Sequence, residues 1–282
     1  MRTKINELFK PLSLVTNLCK GYTLLEALDI SKEAGFTFVE LASILGMCEH
    51  FTPSQLDDEF IENTILELKD RGLSCHAVSG HVDLTIDDQC DDFIKKIEFA
   101  SRIGAKIINT NSGPQNRLDE FYKNMRRVIA AAERYEVIIG LESHGDIINT
   151  AKESIKVFKY FNHPLVRFNY DTGNTFFYNN GSIKIEEDIL YSLEYLSYIH
   201  LKDIRIRGNQ VNYCALGEGD INLKAVINSI SSNLPTIPCG MEIPVHVKGV
   251  LGNIVPVDTP MSREDIFGCI NKSLKYIATL LK

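Results

Sequence analysis

The sequence has no excess of positive charge and no basic run. Its 30 lysines and arginines are outnumbered by 37 aspartates and glutamates, which gives a formal charge of −7. A surface of that sign repels the phosphate backbone of DNA or RNA. The composition therefore argues against nucleic acid as a partner.

Paired cysteines and long apolar stretches are also missing. The seven cysteines form no C-x-x-C pair, which argues against a disulfide framework and against a thiolate zinc site. No stretch approaches the ~18 apolar residues that a membrane span requires, and the N-terminus lacks the apolar core of a signal peptide. We therefore expect a cytoplasmic protein with reduced, buried thiols and no membrane partner. A homo-oligomer is compatible with the sequence.

One pattern repeats along the whole chain: eight short, β-branched runs alternate with eight longer segments of helical periodicity. The predicted strands are Ser13–Asn17, Phe36–Leu41, Leu73–Ser79, Lys106–Thr110, Val137–Glu142, Val166–Tyr170, Tyr198–Leu201 and Pro238–Ile243. The predicted helices cover approximately residues 23–34, 54–71, 89–103, 117–135, 150–161, 185–195, 222–232 and 262–281. Apolar strands that alternate with helices indicate a parallel sheet covered on its outer face.

Eight such units in about 250 residues match a (β/α)8 TIM barrel of the α/β class better than an open, doubly wound sheet. No linker or shift in composition divides the chain, so residues 1–282 are expected to form a single domain. The longest segment without a periodic pattern, Pro244–Met261, follows the eighth strand. It should lie on the catalytic face, because loops of that length are usually functional.

Several boundaries have their own local signals. Gly35, Gly72 and Gly104 each stand between a predicted helix and a strand, where a left-handed C-cap is needed. Thr52-Pro53-Ser54 and Asp220-Ile221-Asn222 are predicted helix starts. In helix 89–103 the apolar residues form one stripe, and Lys96 is predicted to face away from it.

Each of the last four predicted strands ends in a residue that can bind a metal ion: Glu142, Asp171, His200 and Glu242. The first two intervals are 29 residues, about one strand–helix unit, and the third is 42 because of the insertion Ile204–Gly219. In a barrel of this type the carboxyl ends of the strands carry the chemistry. Singly, a glutamate there could cap a loop, and His200 could be a core histidine.

Together, three buried carboxylates would repel one another unless a cation lay between them. Three carboxylates, one imidazole and no sulfur suit one divalent metal ion, namely Mn²⁺, Mg²⁺ or Co²⁺, with Zn²⁺ as a further candidate.

The same residues carry a family resemblance. Leu141-Glu142-Ser143-His144-Gly145, Tyr170-Asp171-Thr172-Gly173-Asn174, His200-Leu201-Lys202-Asp203 and Gly217-Glu218-Gly219-Asp220-Ile221 resemble the sugar phosphate isomerase/epimerase family of xylose isomerase-like TIM barrels. This resemblance implies one divalent ion held by Glu142, Asp171, His200 and Glu242. It also implies that Glu142 and Glu242 exchange protons with the substrate.

The implied chemistry leaves three functions open. A cation that chelates a hydroxyketone acidifies the α-proton and stabilises an enediolate, which isomerases and epimerases of small sugars or polyol-derived ketones share. A dehydratase of the inosose or 3-dehydroshikimate type uses the same intermediate and then expels a hydroxyl group. A catalytically silent sugar-binding protein is the third alternative. In each case a small carbohydrate is the expected partner.

The weaker candidates are predicted substrate contacts: His81, His144, Asn174, Lys202 and Arg205, with Arg207 as an alternative to Arg205. Asn174 departs from several relatives, which carry a histidine there. Glu40 is expected to form an internal ion pair, with a substrate contact as the alternative, whereas His50, His163 and His246 are treated as surface or loop residues. The Gly217–Asp220 turn lacks the pattern of a phosphate-binding loop, and the sequence leaves open whether the substrate is phosphorylated.

Overall fold

Eight parallel strands close into a barrel in the computed structural model, which describes residues 8–250, 253–257 and 259–280. In chain order the strands of the structure are β1 Phe9–Val15, β2 Phe38–Ile44, β3 Cys48–Glu49, β4 Ser74–Ser79, β5 Ile107–Thr110, β6 Ile138–Glu142, β7 Val166–Asp171, β8 Leu196–Leu201, β9 Asp203–Arg207, β10 Gln210–Cys214, β11 Ile237–Met241, β12 Val247–Val250 and β13 Asn253–Pro256. Neighbours in the barrel follow the order β1-β11-β8-β7-β6-β5-β4-β2, and β2 pairs with β1 to close it. The predicted TIM-barrel fold is confirmed.

Helices connect the barrel strands and cover them. They are α1 Leu24–Glu33, α2 Asp58–Asp70, α3 Asp87–Arg102, α4 Leu118–Tyr135, α5 Ala151–Phe161, α6 Thr172–Tyr178, α7 Ile185–Asp188, α8 Leu223–Ser231 and α9 Arg263–Leu280. Gly35, Gly72 and Gly104 have φ values of 81°, 62° and 85°, as the predicted left-handed caps require. None of the described helices is long and apolar enough to cross a membrane.

Two predicted helices differ from the structure at their ends. The helix expected from Ser54 begins at Asp58, because the side chain of Asp57 caps it by accepting a hydrogen bond from the amide of Phe60. Residues Pro53–Gln55 form a separate 3-10 turn instead. The helix predicted over 185–195 is the short α7, followed by a 3-10 turn at Ile189–Ser192.

The insertion and the long final loop contain structure that the sequence pattern did not reveal. Strands β9 and β10 form an antiparallel hairpin, β12 pairs with β10, and β13 pairs with β12. The segment predicted as a loop over Pro244–Met261 therefore includes β12 and β13, although residues 251, 252 and 258 lie outside the described part of the chain. This four-stranded sheet follows the carboxyl ends of β8 and β11.

Lys96 was predicted to face away from the core, and this prediction is wrong. Its side chain is 1% exposed, and its ammonium donates to the carbonyl oxygens of Ser43 at 2.7 Å and Gly80 at 3.4 Å. Burial lowers the pKa of Lys96 to about 8. A lysine stem is long enough to carry its charge from α3 to the ends of β2 and β4, which helical periodicity alone does not indicate.

The five cysteines Cys19, Cys48, Cys75, Cys90 and Cys239 are buried, as expected, whereas Cys214 and Cys269 are half-buried.

The barrel interior accepts no additional atom at Gly140 in β6. A Cβ built there would overlap the side-chain oxygen of Asn109, which projects from β5. We therefore expect Gly140→Ala to lower the free energy of unfolding by ~1–3 kcal/mol, as overpacking of a core does. The control is Gly268→Ala in α9, where an added Cβ meets nothing within 4 Å and helix propensity should stabilise by ~1 kcal/mol. Urea denaturation of both variants measures the difference, and equal effects would contradict the expectation.

Candidate active site

Four of the predicted residues meet at one point of the barrel mouth. Glu142 and Asp171 end β6 and β7, His200 lies in β8, and Glu242 follows β11 directly. One side-chain ligand atom from each lies within 4.8 Å of the others, and all four residues are buried. The four strands are consecutive neighbours in the barrel, which is why residues far apart in sequence converge.

His200 is at the centre of this cluster. Its Nδ1 atom lies 2.8 Å from Glu142 Oε2, 2.9 Å from Glu242 Oε2 and 3.7 Å from Asp171 Oδ2. Its other ring nitrogen, Nε2, lies 3.0 Å from both carboxylate oxygens of Glu40. The ion pair expected for Glu40 is thus present, and its partner is a residue of the site.

The cluster fits a divalent ion. Three buried carboxylates and one imidazole offer the oxygen-rich donor set that Mn²⁺, Mg²⁺, Co²⁺ and also Zn²⁺ accept. Glu242 Oε2 is buried and accepts no hydrogen bond, although His200 Nδ1 lies 2.9 Å from it, and a buried carboxylate oxygen without a donor is costly. A ligand atom of Glu242 thus lies within 4.8 Å of ligand atoms of Glu142, Asp171 and His200.

Polar side chains hold the carboxylates in place from several sides. His81 Nε2 lies 2.9 Å from Glu142 Oε2, and the amide of Asn174 donates to Glu142 Oε1 at 2.8 Å. Asn17, in the 3-10 turn that follows β1, donates to Glu242 Oε1 at 2.8 Å. Each glutamate is therefore oriented by residues from other elements of the barrel.

Lys202 supplies a fixed positive charge. Its ammonium lies 2.7 Å from Asp171 Oδ2 and 2.9 Å from Glu242 Oε1, and it donates to Asn174 Oδ1 at 3.2 Å. Burial opposes the charged form, but Asp171 and Glu242 outweigh it and hold the pKa of Lys202 well above its ordinary value. Lys202 therefore remains a cation at neutral pH.

Burial and the neighbouring cations shift the pKa values of the three carboxylates in different directions. Burial favours the protonated form of Glu142, yet His81 and His200 hold its pKa well below the usual range. Lys202 and His200 likewise lower the pKa of Glu242 against the effect of burial. Burial raises the pKa of Asp171, although Lys202 opposes the rise. Both glutamates are thus ionised at neutral pH.

The Asp171–Asn174 motif has a local explanation. Asp171 Oδ1 accepts from the amide of Asn174, so the motif caps α6 while Oδ2 stays in the cluster. Thr172 Oγ1 donates to the carbonyl oxygen of Lys202 and accepts from the amide of the same residue. A Cβ on Gly173 would lie 2.6 Å from Lys202 Cγ, so glycine makes room for the lysine.

The Gly217–Asp220 turn supports the site from outside. Asp203 accepts from the amides of Gly217 at 2.9 Å and Gly219 at 3.0 Å, and a side chain on Gly219 would overlap its carboxylate. Arg205 donates to the carbonyl oxygen of Glu218 in the same turn. Arg205 therefore belongs to this turn and does not line the cavity.

Above the cluster lies a cavity of about 330 Å³, near the lower end for ligand pockets. His81, His144, Asn174, Lys202, Glu142 and Glu242 all line it, so the structure brings together every predicted contact except Arg205. The other lining residues are Ile44, Leu45, Met47, Val82, Asp83, Gln89, Asn111, Tyr178, Tyr213, Pro244 and Val247. Tyr178 and Tyr213 were missed because α6 and β10 have no clear sequence pattern.

The remaining histidines differ in their surroundings. His50 and His163 are half-buried; His50 lies within hydrogen-bond distance of two backbone carbonyls, and His163 of Glu133. His246, treated as a surface or loop residue, is only 4% exposed, and neither ring nitrogen has a hydrogen-bond partner. His246 lies in the turn between β11 and β12, as the loop assignment predicted, but it is not at the surface.

The sequence matches the family model of the xylose isomerase-like TIM barrel over residues 28–262. The chain therefore belongs to this family, as the motif resemblance predicted. None of the curated proteins matches it significantly.

Solved structures share the fold along almost the whole chain. A xylose isomerase-like TIM barrel protein from Mycobacterium smegmatis in complex with magnesium has a TM-score of 0.74 at 17% identity, covering 100% of this chain and 98% of its own. D-allulose 3-epimerase from Methylomonas sp. has a TM-score of 0.71 at 17% identity, with 97% and 98% covered. The probable 3-DHS dehydratase of petrobactin synthesis from Bacillus anthracis has 0.70 at 16%, with 95% and 98% covered. At these identities the likeness is one of fold.

The burial of His246 predicts a pH dependence of stability. Burial lowers the pKa of His246 to about 4, whereas an unfolded histidine titrates near ~6.5. Between these values the unfolded chain binds more protons, so stability should fall as the pH decreases from ~6.5 towards ~4. His246→Leu, which keeps an apolar side chain in place of the unbonded ring, should lose part of that decrease. Urea midpoints at pH 4.5 and 7.5 compare the two proteins, and identical pH dependence would contradict this explanation.

Proposed function

We propose that the protein is a divalent-metal-dependent isomerase or epimerase of a small, uncharged sugar or polyol-derived ketone. The observation that carries the proposal is the pair Glu142 and Glu242. Both carboxylates line one cavity, and both lie within 3 Å of the same nitrogen of His200. Proton removal from a carbon atom and its return require bases placed in this way.

Glu142, Asp171, His200 and Glu242 are the residues that would hold the ion. A bound divalent ion would polarise the substrate's carbonyl group and so acidify the neighbouring C–H. The structure of a Mycobacterium smegmatis relative in complex with magnesium supports an ion of this kind in the family.

Glu142 and Glu242 would reach a substrate in the cavity from different sides. In the barrel β6 and β11 are separated by β7 and β8, so Glu142 and Glu242 project from separate positions around the mouth. One base on each side can take a proton from one face of a carbon atom and return it to the other face, or to the neighbouring carbon. Lys202 and Asn174, which line the same cavity, are placed to hydrogen-bond substrate oxygens.

The charge of the cavity favours an uncharged substrate. Among the described residues that line it, Lys202 is the one full cation, and it already pairs with Asp171 and Glu242. Asp83, Glu142 and Glu242 contribute negative charge to the same wall. These carboxylates would repel a phosphate or carboxylate group on the substrate, and no arginine among the described lining residues would bind that group.

A dehydratase is the second candidate, because His144 lines the cavity and its Nε2 lies 3.4 Å from the hydroxyl of Tyr178. An acid at that place could protonate a departing hydroxyl group. However, burial lowers the pKa of His144, which favours the neutral ring and leaves little of the protonated form that could donate a proton. The charge argument also disfavours an acidic substrate such as 3-dehydroshikimate, and leaves an uncharged inosose as the dehydratase substrate to test.

Removal of a ligand should abolish metal binding without unfolding the barrel. We expect Asp171→Asn and His200→Ala to lose most of the bound divalent metal, because each removes a donor from a four-residue set. Elemental analysis of protein prepared without chelator, together with circular dichroism, tests this. The control is Asp92→Asn, a carboxylate exposed on α3. Full metal occupancy in both ligand variants would contradict the proposed centre.

Exchange of substrate protons with solvent separates the two reaction classes. Glu142→Gln and Glu242→Gln, saturated with metal, should each lose ~10²–10⁴-fold in turnover if the glutamates are bases. A panel of free ketopentoses, ketohexoses and inososes in D₂O, followed by NMR and mass spectrometry, provides the readout. An epimerase variant should deuterate only one of the two epimers, whereas a dehydratase eliminates water from the substrate and gives a product lighter by one water molecule.

The exposed Glu218→Gln is the matched control and should behave as wild type. Near-normal exchange in both glutamate variants would overturn their role as bases. Sugar binding by the wild type without any exchange would indicate a silent binding protein.

A further inference from the structure

A fourth carboxylate lies below the cluster, inside the barrel. Glu40 projects from β2, is completely buried, and places both of its oxygens 3.0 Å from His200 Nε2. It does not line the cavity, so it cannot touch a substrate there. A buried carboxylate at this depth requires a structural or chemical reason.

Two further donors surround Glu40. Ser79 Oγ donates to Oε1 at 2.6 Å, and Asn109 Nδ2 donates to the same oxygen at 2.9 Å. An ionised carboxylate only accepts hydrogen bonds, and Ser79 and Asn109 already donate to it. With Glu40 ionised, a ring nitrogen 3.0 Å away makes a favourable contact only when it carries a hydrogen atom.

The barrel leaves space for this contact at one glycine. A Cβ on Gly240 in β11 would lie 2.7 Å from Glu40 Oε2 and 2.8 Å from His200 Cδ2. Any larger residue at that position would separate the two side chains or displace both. The strand facing the pair is thus built to permit it.

We propose that Glu40 is a positioning residue that keeps the hydrogen atom on His200 Nε2 and directs Nδ1 towards Glu142, Asp171 and Glu242. A hydrogen bond donated by the distal N–H group of a ligating histidine to a carboxylate is a general means of orienting the ring. Asn169 supports the same orientation, because its Nδ2 atom lies 3.2 Å from His200 Nδ1. The orientation of the ring follows from the barrel alone; its consequence for an ion rests on the proposed function.

The first test is NMR of wild-type protein with ¹⁵N-labelled histidine, with and without Mg²⁺ or Zn²⁺, and with the His200 signals assigned through His200→Ala. We expect Nε2 of His200 to carry hydrogen in both states and the Nδ1 signal to move on addition of the ion. A His200 ring with hydrogen on Nδ1 and none on Nε2 would overturn the proposal. This measurement needs no variant of Glu40.

The second test compares Glu40→Met, which removes the acceptor, with Glu40→Gln, which retains a weaker one. Calorimetric titration with Zn²⁺ should show an affinity ~10–100-fold lower for Glu40→Met and partial recovery for Glu40→Gln. Ser13→Ala, a change at another buried polar residue of the barrel interior, is the control and should retain wild-type affinity. Wild-type affinity and NMR signals in Glu40→Met would overturn the proposal.

If Glu40→Met does not fold, the comparison is made with Glu40→Gln and Gly240→Ala. If the wild type binds neither ion but keeps the hydrogen atom on Nε2, the proposed function fails and the positioning role of Glu40 stands. The two failures are therefore distinguishable.

Discussion

The structure depends on the confinement of negative charge at the centre of the barrel. Glu40, Glu142, Asp171 and Glu242 are all buried within reach of His200 or Lys202. Carboxylates in a low-dielectric interior are stable only when positive charge and hydrogen-bond donors compensate them. His200 and Lys202 supply the charge, and asparagine and serine side chains supply many of the donors. The rest of the mouth is arranged around this balance.

Small residues make that arrangement possible. Gly173 provides the space for Lys202, Gly240 the space for the contact between Glu40 and His200, and Gly219 the space for Asp203. At each position an added Cβ would overlap the side chain of a charged residue, namely Lys202, Glu40 or Asp203. The glycines in the motifs therefore reflect close packing around charged groups and not phosphate binding.

Much of the site could be predicted because strand ends are visible in sequence. Glu142, Asp171, His200 and Glu242 each follow an apolar run, and parallel strands bring their carboxyl ends to one side of a barrel. Arg205 also follows a predicted strand. It lies in β9 of the β9–β10 hairpin, however, and its side chain donates to the carbonyl oxygen of Glu218. Tyr178 and Tyr213 also line the cavity. They lie in α6 and β10, neither of which has a clear hydrophobic pattern in the sequence.

The sequence by itself determined the fold, the order of the strands and the four residues that meet at their ends, because hydrophobic periodicity is a local property. The tertiary structure alone decided that Glu40 lies beneath His200, that Lys96 is buried, and that His246 is buried. These depend on which side chains face each other across the barrel. The contact between Glu40 and His200 joins residues 160 positions apart, and no local pattern encodes it.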